Sequence, residues 1–199
     1  MILSHWNYFL AIEDDTDRLS RYVEFSEENF SVFSVEIARL LMSCTQETDV
    51  LLKQICQQHG DSSESEGGYR AFLSKQFPGL VAAEVTLART ELSFTPFASW
   101  NNDETPTWWS ANNKVKHHRH THFARASLQN FLNSLCALLL ANLYFYAGTS
   151  KLDELWPDPK LLYPEGFVIS ASPTAFGLVR NYRVAEVSLK TEGRVKGAV

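Results

Sequence analysis

Acidic residues are absent from a long central part of this chain. Between Thr105 and Leu152 the sequence contains no Asp or Glu, although the formal net charge of the 199 residues is −5. The centre of this acid-free segment, residues 112–122, carries four of the six histidines together with two lysines and an arginine. A cationic segment in an acidic chain predicts a phosphate-bearing partner. The alternative is that the acidic N-terminal half packs against the segment, within one chain or across a dimer.

Cysteines are few and widely spaced. The three residues Cys44, Cys56 and Cys136 form no CxxC pair, so the sequence does not predict a structural zinc site built from thiolates. Cys44 and Cys136 lie in apolar helical patterns, and we expect them to pack as small hydrophobic residues. Because nothing in the cysteine usage requires an oxidising compartment, we predict a cytoplasmic protein.

The sequence also lacks long apolar runs and the common cofactor motifs. Its most apolar stretch, residues 134–147, is about 14 residues long, whereas a membrane-spanning helix needs roughly 20. The first residues have neither the basic start nor the apolar run of a secretory signal. No glycine-rich phosphate loop, GxSxG or HExxH is present. We therefore expect a buried core helix at residues 134–147, no membrane partner and no cofactor.

The first half of the chain has the pattern of a helical protein. Apolar residues recur at helical spacing and predict one long helix over residues 27–58, with Ser26 as its N-terminal cap. The polar, Gly/Ser-rich residues 60–68 predict a loop. A short helix over residues 69–77 follows and stops at Pro78.

The second half predicts two further helices and short strands. Alternating residues near 83–97 indicate a small hairpin, and Pro106 indicates a helix start with Thr105 as its cap. A second helix starts near Thr121 or Phe123 and reaches Ala147, unless the two helices are continuous, since no breaker separates them. We predict a mainly α fold with a small β-hairpin or sheet. Residues 1–150 form the helical domain, and residues 151–199, with short strands at 167–169 and 178–184, form an extension that packs on it.

A helical wheel places several polar side chains of the acid-free segment on one surface. Trp108, Ala111 and Val115 form the inward stripe at about 100° per residue. Arg119 lies at its edge, where its side chain can fold over Lys116. The neighbouring stripe carries Trp109, Asn113, Lys116, His117 and His120.

These groups suit the binding and the cleavage of a phosphodiester. His117 has the residue type that takes up the 2′-hydroxyl proton of RNA as a general base. Lys116, Arg119 and Asn113 are suited to hold the phosphate and its developing charge, with no metal required. Lys114, His120 and Trp109 are candidate ligand-binding residues beside them. The competing interpretation is a solvated basic helix face with a few packed histidines.

Two other interpretations concern metals and aromatic stacking. His118 with His122, and His117 with His120, have the spacing of chelating pairs. No Asp, Glu or Cys lies nearby in the sequence to complete a metal site, and the adjacent cations repel a metal ion, so we predict no functional metal. Trp100, Trp108 and Trp109 suit either base stacking or the core.

The residues of this segment resemble the HEPN superfamily. The resemblance rests on Trp108-Trp109, on Asn113-Lys114-Val115-Lys116-His117-His118-Arg119, and on Phe123 before a long apolar helix. Arg21-Tyr22-Val23, ahead of the first long helix, is similar to uncharacterised prokaryotic members, so the resemblance covers residues 21–146. It implies a bundle of four or five helices that forms a homodimer. Many members are metal-independent ribonucleases of toxin–antitoxin and phage-defence systems.

One departure from the family pattern affects the expected function. The family signature is an Arg, then four to six further residues, then the His, yet no Arg lies near Ala111 or Asn112 ahead of His117. We therefore expect a non-catalytic HEPN-like module that dimerises and binds a phosphate-bearing ligand, such as RNA or a nucleotide, or a partner protein. The alternative is a metal-independent ribonuclease toxin that uses His117 as its base.

Overall fold

The computed structural model describes the backbone of residues 3–149, 151–165, 167–174 and 177–184, and the side chains of residues 3–149 and 151–165. Within this part the fold is mainly α, as predicted. The helices are α1 (Ser4–Leu19), α2 (Val35–Gln58), α3 (Glu66–Gln76), α4 (Pro78–Ala82), α5 (Thr107–His122) and α6 (Leu128–Gly148). The strands are β1 (Val85–Leu87), β2 (Ser93–Phe94), β3 (Leu162–Pro164), β4 (Phe167–Thr174) and β5 (Gly177–Val184).

Helix α6 is the centre of the hydrophobic core and packs most extensively against α2. It is the one helix in the described part of the chain that is long and apolar enough to cross a membrane, but 72% of its most apolar window is buried inside the protein. Burial on nearly all sides explains why this helix shows little polar alternation. The predicted core helix therefore exists, and it is longer than the apolar run alone indicated.

Two cysteines on α2 and α6 lie in this core. Cys44 and Cys136 are fully buried and free. Burial raises the pKa of the Cys44 thiol to about 12. Both residues therefore pack as small hydrophobic side chains, as the sequence predicted.

Helix α1 was not predicted from the sequence. Its buried residues Trp6, Phe9, Ile12, Thr16 and Leu19 recur three or four positions apart, which is the spacing of one helix face. Four acidic residues between positions 13 and 17 obscure this pattern. The apolar face nevertheless covers one side of the α2–α6 pair.

The start of α2 corrects the predicted cap. Ser26 precedes only a short 3-10 turn, Glu27–Asn29, and its side chain makes no capping hydrogen bond. The helix begins after Ser34, whose hydroxyl oxygen accepts a hydrogen bond of 3.1 Å from the Ile37 backbone N–H. The long helix is therefore shorter than residues 27–58, because the chain bends between the two serines.

The predicted loop at residues 60–68 is also shorter than expected. Helix α3 begins at Glu66, so Gly67 and Gly68 lie in its first turn. It ends at Gln76, and Pro78 opens the short helix α4 instead of only stopping the preceding one. Proline is tolerated there because the first N–H groups of a helix have no partner inside it.

The hairpin prediction is confirmed, and part of the C-terminal extension joins it. Strands β1 and β2 are antiparallel, and β3 pairs with the other edge of β1 in the order β2-β1-β3. Among the described residues, the tail strands β4 and β5 pair with each other and not with this sheet. Their positions include the predicted segments 167–169 and 178–184, whereas residues 185–199 lie outside the described part of the chain.

Candidate anion-binding site

The buried face of α5 anchors the site. Trp108, Ala111 and Val115 are buried, as the helical wheel predicted. The Trp108 indole N–H donates a hydrogen bond of 2.8 Å to the Pro96 carbonyl oxygen. These contacts hold α5 against the core and leave its other face in water.

The tryptophans belong to the core and do not form a stacking surface. Trp100, Trp108 and Trp109 are 3%, 1% and 8% exposed. The Trp109 ring lies edge-on to Trp108 at 5.4 Å between ring centroids and to Tyr69 at 6.5 Å. Trp109 is therefore not an exposed ring for a ligand, because its place on the wheel borders the inward stripe and the α3 side covers it.

The start of α5 is held by a buried carboxylate that the sequence did not single out. Glu66 accepts hydrogen bonds from the Trp100 indole N–H at 2.9 Å and from the Thr105 hydroxyl at 2.8 Å, and it pairs with Arg70 at 2.7 Å. Thr105 is thus bonded to α3 and does not cap α5. Pro106 occupies the cap position without a side-chain hydrogen bond. A glutamate four residues before an arginine is the only signal that the sequence carried for this cluster.

The outer face of α5 presents the predicted polar residues to solvent. The exposed side chains are Asn113, Lys114, Lys116, His117, Arg119 and His120. Within the described residues, none of Lys114, Lys116, Arg119 or Arg125 forms an ion pair with a carboxylate. The acidic N-terminal half of the same chain therefore does not neutralise these four charges. We call Lys114, Lys116, Arg119 and Arg125, with the four histidines between them, the basic end of α5.

A kink changes the geometry of this basic end. His118 has φ −139° and ψ 45°, outside the helical region, so the last turn of α5 departs from the axis of the first three. The guanidinium carbon of Arg119 lies 5.8 Å from the centroid of the Phe123 ring. Arg119 is therefore placed over Phe123 and not over Lys116, because the wheel holds only for a straight helix.

The histidines gather around His118. Its ring centroid is 6.5 Å from that of His117, 6.5 Å from that of His120 and 6.3 Å from that of His122. Within the part of the chain that the structure describes, no group of three or more His, Cys, Asp or Glu side chains is arranged to hold a metal ion. The donor set also contains lysine and arginine neighbours, which repel a cation. The cluster suits an anion better than a metal.

The pKa of His122 reflects the unpaired positive charges around it. Partial burial lowers the pKa of His122, and the positive charges of Lys114 and Arg125 and the neighbouring His118 and His120 lower it further. Each of these contributions lowers the pKa of His122. A bound anion would therefore contact cations that form no ion pair among the described residues. Its negative charge would favour the protonated form of His122.

His117 stands apart from any catalytic arrangement within one chain. Its side chain is exposed and makes no hydrogen bond in the described part of the structure. A general base is normally oriented by a hydrogen bond from its second ring nitrogen to a carboxylate or carbonyl. Such a partner is missing around His117 among the described residues. The described part of the chain therefore presents cations that suit phosphate, without a base held in position beside them.

Comparison of this chain with protein-family models, with curated proteins and with solved structures gave no match.

Proposed function

We propose that the protein is a non-catalytic HEPN-like module that binds RNA through the basic end of α5. The observation that carries the proposal is the set of four exposed cations, next to clustered histidines, that form no ion pair with a carboxylate among the described residues. Phosphodiester groups supply the missing negative charge, and they release condensed counterions when they bind such a surface.

The chemistry favours binding over cleavage. Lysine and arginine hold phosphate directly, and Arg119 adds a planar guanidinium supported by the Phe123 ring. Cleavage also needs a base in a fixed orientation, and among the described residues His117 has no orienting partner. A ribonuclease with His117 as base remains the alternative, in which a second copy supplies the missing groups. The homodimer and the setting in prokaryotic defence or toxin–antitoxin systems rest on the family resemblance alone.

RNA binding is tested by its salt dependence. We expect the protein to bind a fluorescent single-stranded RNA with an affinity that falls steeply between 50 and 200 mM salt. The triple variant Lys114→Ala, Lys116→Ala, Arg119→Ala should reduce the affinity and lower the slope of log affinity against log salt by about 2 units, at about 0.7 per lost phosphate contact. Fluorescence anisotropy at several salt concentrations measures both quantities.

A matched control removes the same charge elsewhere. The triple variant Lys53→Ala, Lys75→Ala, Lys160→Ala also loses three positive charges, from the exposed Lys75 and Lys160 and from the half-buried Lys53. We expect it to retain the wild-type slope. An equal effect of both triple variants, or an absence of RNA binding by the wild type, would refute the proposal.

A second experiment with the wild-type protein tests for RNA cleavage. Wild type and His117→Ala are incubated with RNA in buffer that contains a metal chelator, and both should leave the RNA intact. Cleavage by the wild type that is lost in His117→Ala would instead establish the ribonuclease alternative. Whether or not the wild type cleaves RNA, light scattering determines whether it is a dimer.

A further inference from the structure

Two exposed aromatic side chains lie in the segment between α1 and α2. Tyr22 is 84% exposed and Phe33 is 46% exposed. Tyr22 lines a cavity of about 660 Å³ together with Ser34, the residue that follows Phe33. We call Tyr22 and Phe33 the aromatic platform. Large apolar rings at this level of exposure carry an unsatisfied apolar surface that a ligand is able to cover.

The Phe33 ring is linked to the basic end by direct contacts. Its centroid lies 5.4 Å from that of Phe123 in an edge-on arrangement, and Arg119 lies over the same Phe123 ring. The backbone there is also fixed, since the Leu128 N–H donates a hydrogen bond of 2.8 Å to the Val32 carbonyl oxygen. Phe33 is therefore a positioned ring at the end of α5, not a side chain on a free loop.

The far side of the platform also carries positive charge. Arg18 and Arg21 line the cavity beside Tyr22, and so do the carboxylates Asp15 and Glu36. Arg39 pairs with both carboxylates, at 2.6 Å and 2.5 Å, and Arg18 pairs with Asp15 at 3.3 Å, so these four charges balance. Among the described residues Arg21 forms no ion pair and adds a positive charge beside Tyr22. Each exposed ring thus has an arginine nearby: Arg21 in the cavity that Tyr22 lines, and Arg119 over the Phe123 ring that Phe33 contacts. This arrangement matches a polynucleotide strand, in which flat bases project from a backbone of negative phosphates.

We propose that Tyr22 and Phe33 bind the unpaired bases of a single-stranded RNA whose phosphates lie on the basic end of α5. The inference rests on the proposed RNA binding and concerns the bases, which the cations do not contact. Every base has a flat face that stacks on an aromatic ring, so the platform is tolerant of sequence. Bases in a duplex are already stacked and paired, and they do not reach these rings.

Three probes separate the contribution of bases from that of phosphates. The probes are a single-stranded RNA, a duplex of the same sequence, and a phosphodiester strand of equal length made entirely of abasic units. At fixed salt, we expect the single strand to bind tighter than the abasic strand by about 5- to 100-fold, which is the range for one stacked base. The duplex should also bind more weakly than the single strand.

Variants assign the effect to the platform. Tyr22→Ala removes an exposed ring, and Phe33→Leu removes the flat face while it keeps an apolar side chain against Phe123. Each should weaken binding of the single strand by about 5- to 100-fold and leave binding of the abasic strand unchanged. The control is Tyr8→Ala, which removes a ring of similar exposure, 42%, near the other end of α1. Thermal melting of each variant verifies the fold.

The outcomes distinguish the two proposals. If no probe binds, the proposed function fails. If the single and abasic strands bind wild type equally, phosphate binding stands and the platform proposal is refuted. It is also refuted if Tyr22→Ala alters the oligomeric state while the ratio of single-strand to abasic affinity stays at the wild-type value, since the rings would then form a contact between copies of the chain.

Discussion

His122 shows how single charges shape the basic end of α5. Its pKa is lowered by partial burial and by the cations Lys114 and Arg125, in a segment that has no acid to balance them. The imidazole therefore loses its proton more readily in the free protein than it does in water. A phosphate group placed beside it has the opposite effect and raises its pKa. Binding of an anion is consequently coupled to proton uptake.

This coupling predicts a pH-dependent affinity for RNA. The phosphodiester keeps its charge across the range, so only the protein titrates. We expect affinity to rise as the pH falls from 8 to 6, because the bound state holds a proton at His122 that the free state has lost. His122→Gln should reduce the dependence on pH. Anisotropy titrations at several pH values and constant ionic strength measure it.

The control for this prediction is a histidine outside the basic end. His59 is exposed at the end of α2, and its ring contacts Phe77. His59→Gln should leave the pH dependence as it is in the wild type. An affinity that is independent of pH, or an equal loss in both variants, would contradict the coupling.

At the scale of single residues, the sequence predicted the exposed polar stripe of α5 better than it predicted which aromatic side chains are exposed. The polar stripe with Asn113 and His117 is exposed, as the wheel indicated. Trp109 is covered, although it lies on the same stripe, because α3 packs against that edge. Tyr22 and Phe33, which lie outside this stripe, are exposed instead, as are Tyr8, Trp156 and Tyr163. Only the packing of neighbouring elements decides which aromatic ring faces water.

Among the helices, the boundaries depend on capping geometry. Ser26 and Ser34 are both followed by a glutamate within two residues, and both suit an N-cap by composition. The structure uses Ser34, since the chain between them forms a 3-10 turn and then an extended residue. Two candidate caps eight residues apart cannot be ranked by local sequence alone.

The assignment of the cap gives a paired prediction. Ser34→Ala removes the acceptor for the Ile37 N–H at the start of the largest amphipathic helix. We expect it to lower the free energy of unfolding by about 1 kcal/mol, in the range of 0.5–2 kcal/mol for lost caps. Ser26→Ala should change it by less than about 0.5 kcal/mol. Urea denaturation of the two variants measures the difference, and equal losses would argue against Ser34 as the cap.

The break between α5 and α6 shows a similar limit. No glycine or proline separates the two helices, so the sequence did not exclude a single continuous helix. The structure separates them with the kink at His118, a 3-10 turn at Phe123–Arg125 and the cap at Ser127. The turn lets Phe123 reach Phe33 while Leu128 enters the core. Tertiary contacts therefore end a helix that local propensity would have continued.

Across the whole molecule, a buried carboxylate joins the C-terminal extension to the first helix. Glu13 on α1 accepts hydrogen bonds of 2.9 Å from the backbone N–H groups of Lys160 and Leu161. Burial raises the pKa of Glu13, and the two backbone donors offset that effect in part. Beside it, Lys160 also pairs with the exposed Asp14 at 2.5 Å. The Glu13 carboxylate thus links α1 to a segment of the extension that lies 147 positions further along the chain.

Removal of this anchor should destabilise the protein. Glu13→Ala leaves two backbone N–H groups without acceptors, and we expect a loss of about 2–4 kcal/mol of unfolding free energy. Glu13→Gln keeps one acceptor oxygen and should lose less. Hydrogen exchange of the Lys160 and Leu161 amides should accelerate in Glu13→Ala, because the extension opens there first.

The matched control is the neighbouring surface ion pair. Asp14→Ala breaks the exposed pair with Lys160 and should cost less than about 1 kcal/mol. If the two alanine variants melt alike, or if exchange at Leu161 is unchanged in Glu13→Ala, the carboxylate does not anchor the extension.

The sequence by itself determined the mainly α class, the buried helix at residues 134–147, the hairpin and the cationic character of the acid-free segment. These features follow from periodicity and composition, which act over a few neighbouring residues. Only the tertiary structure decided that α1 covers the core, that α5 ends in a kink, and that Phe33 and Arg119 meet at Phe123. Those outcomes join segments distant in the chain, and their energies come from packing that no local pattern contains.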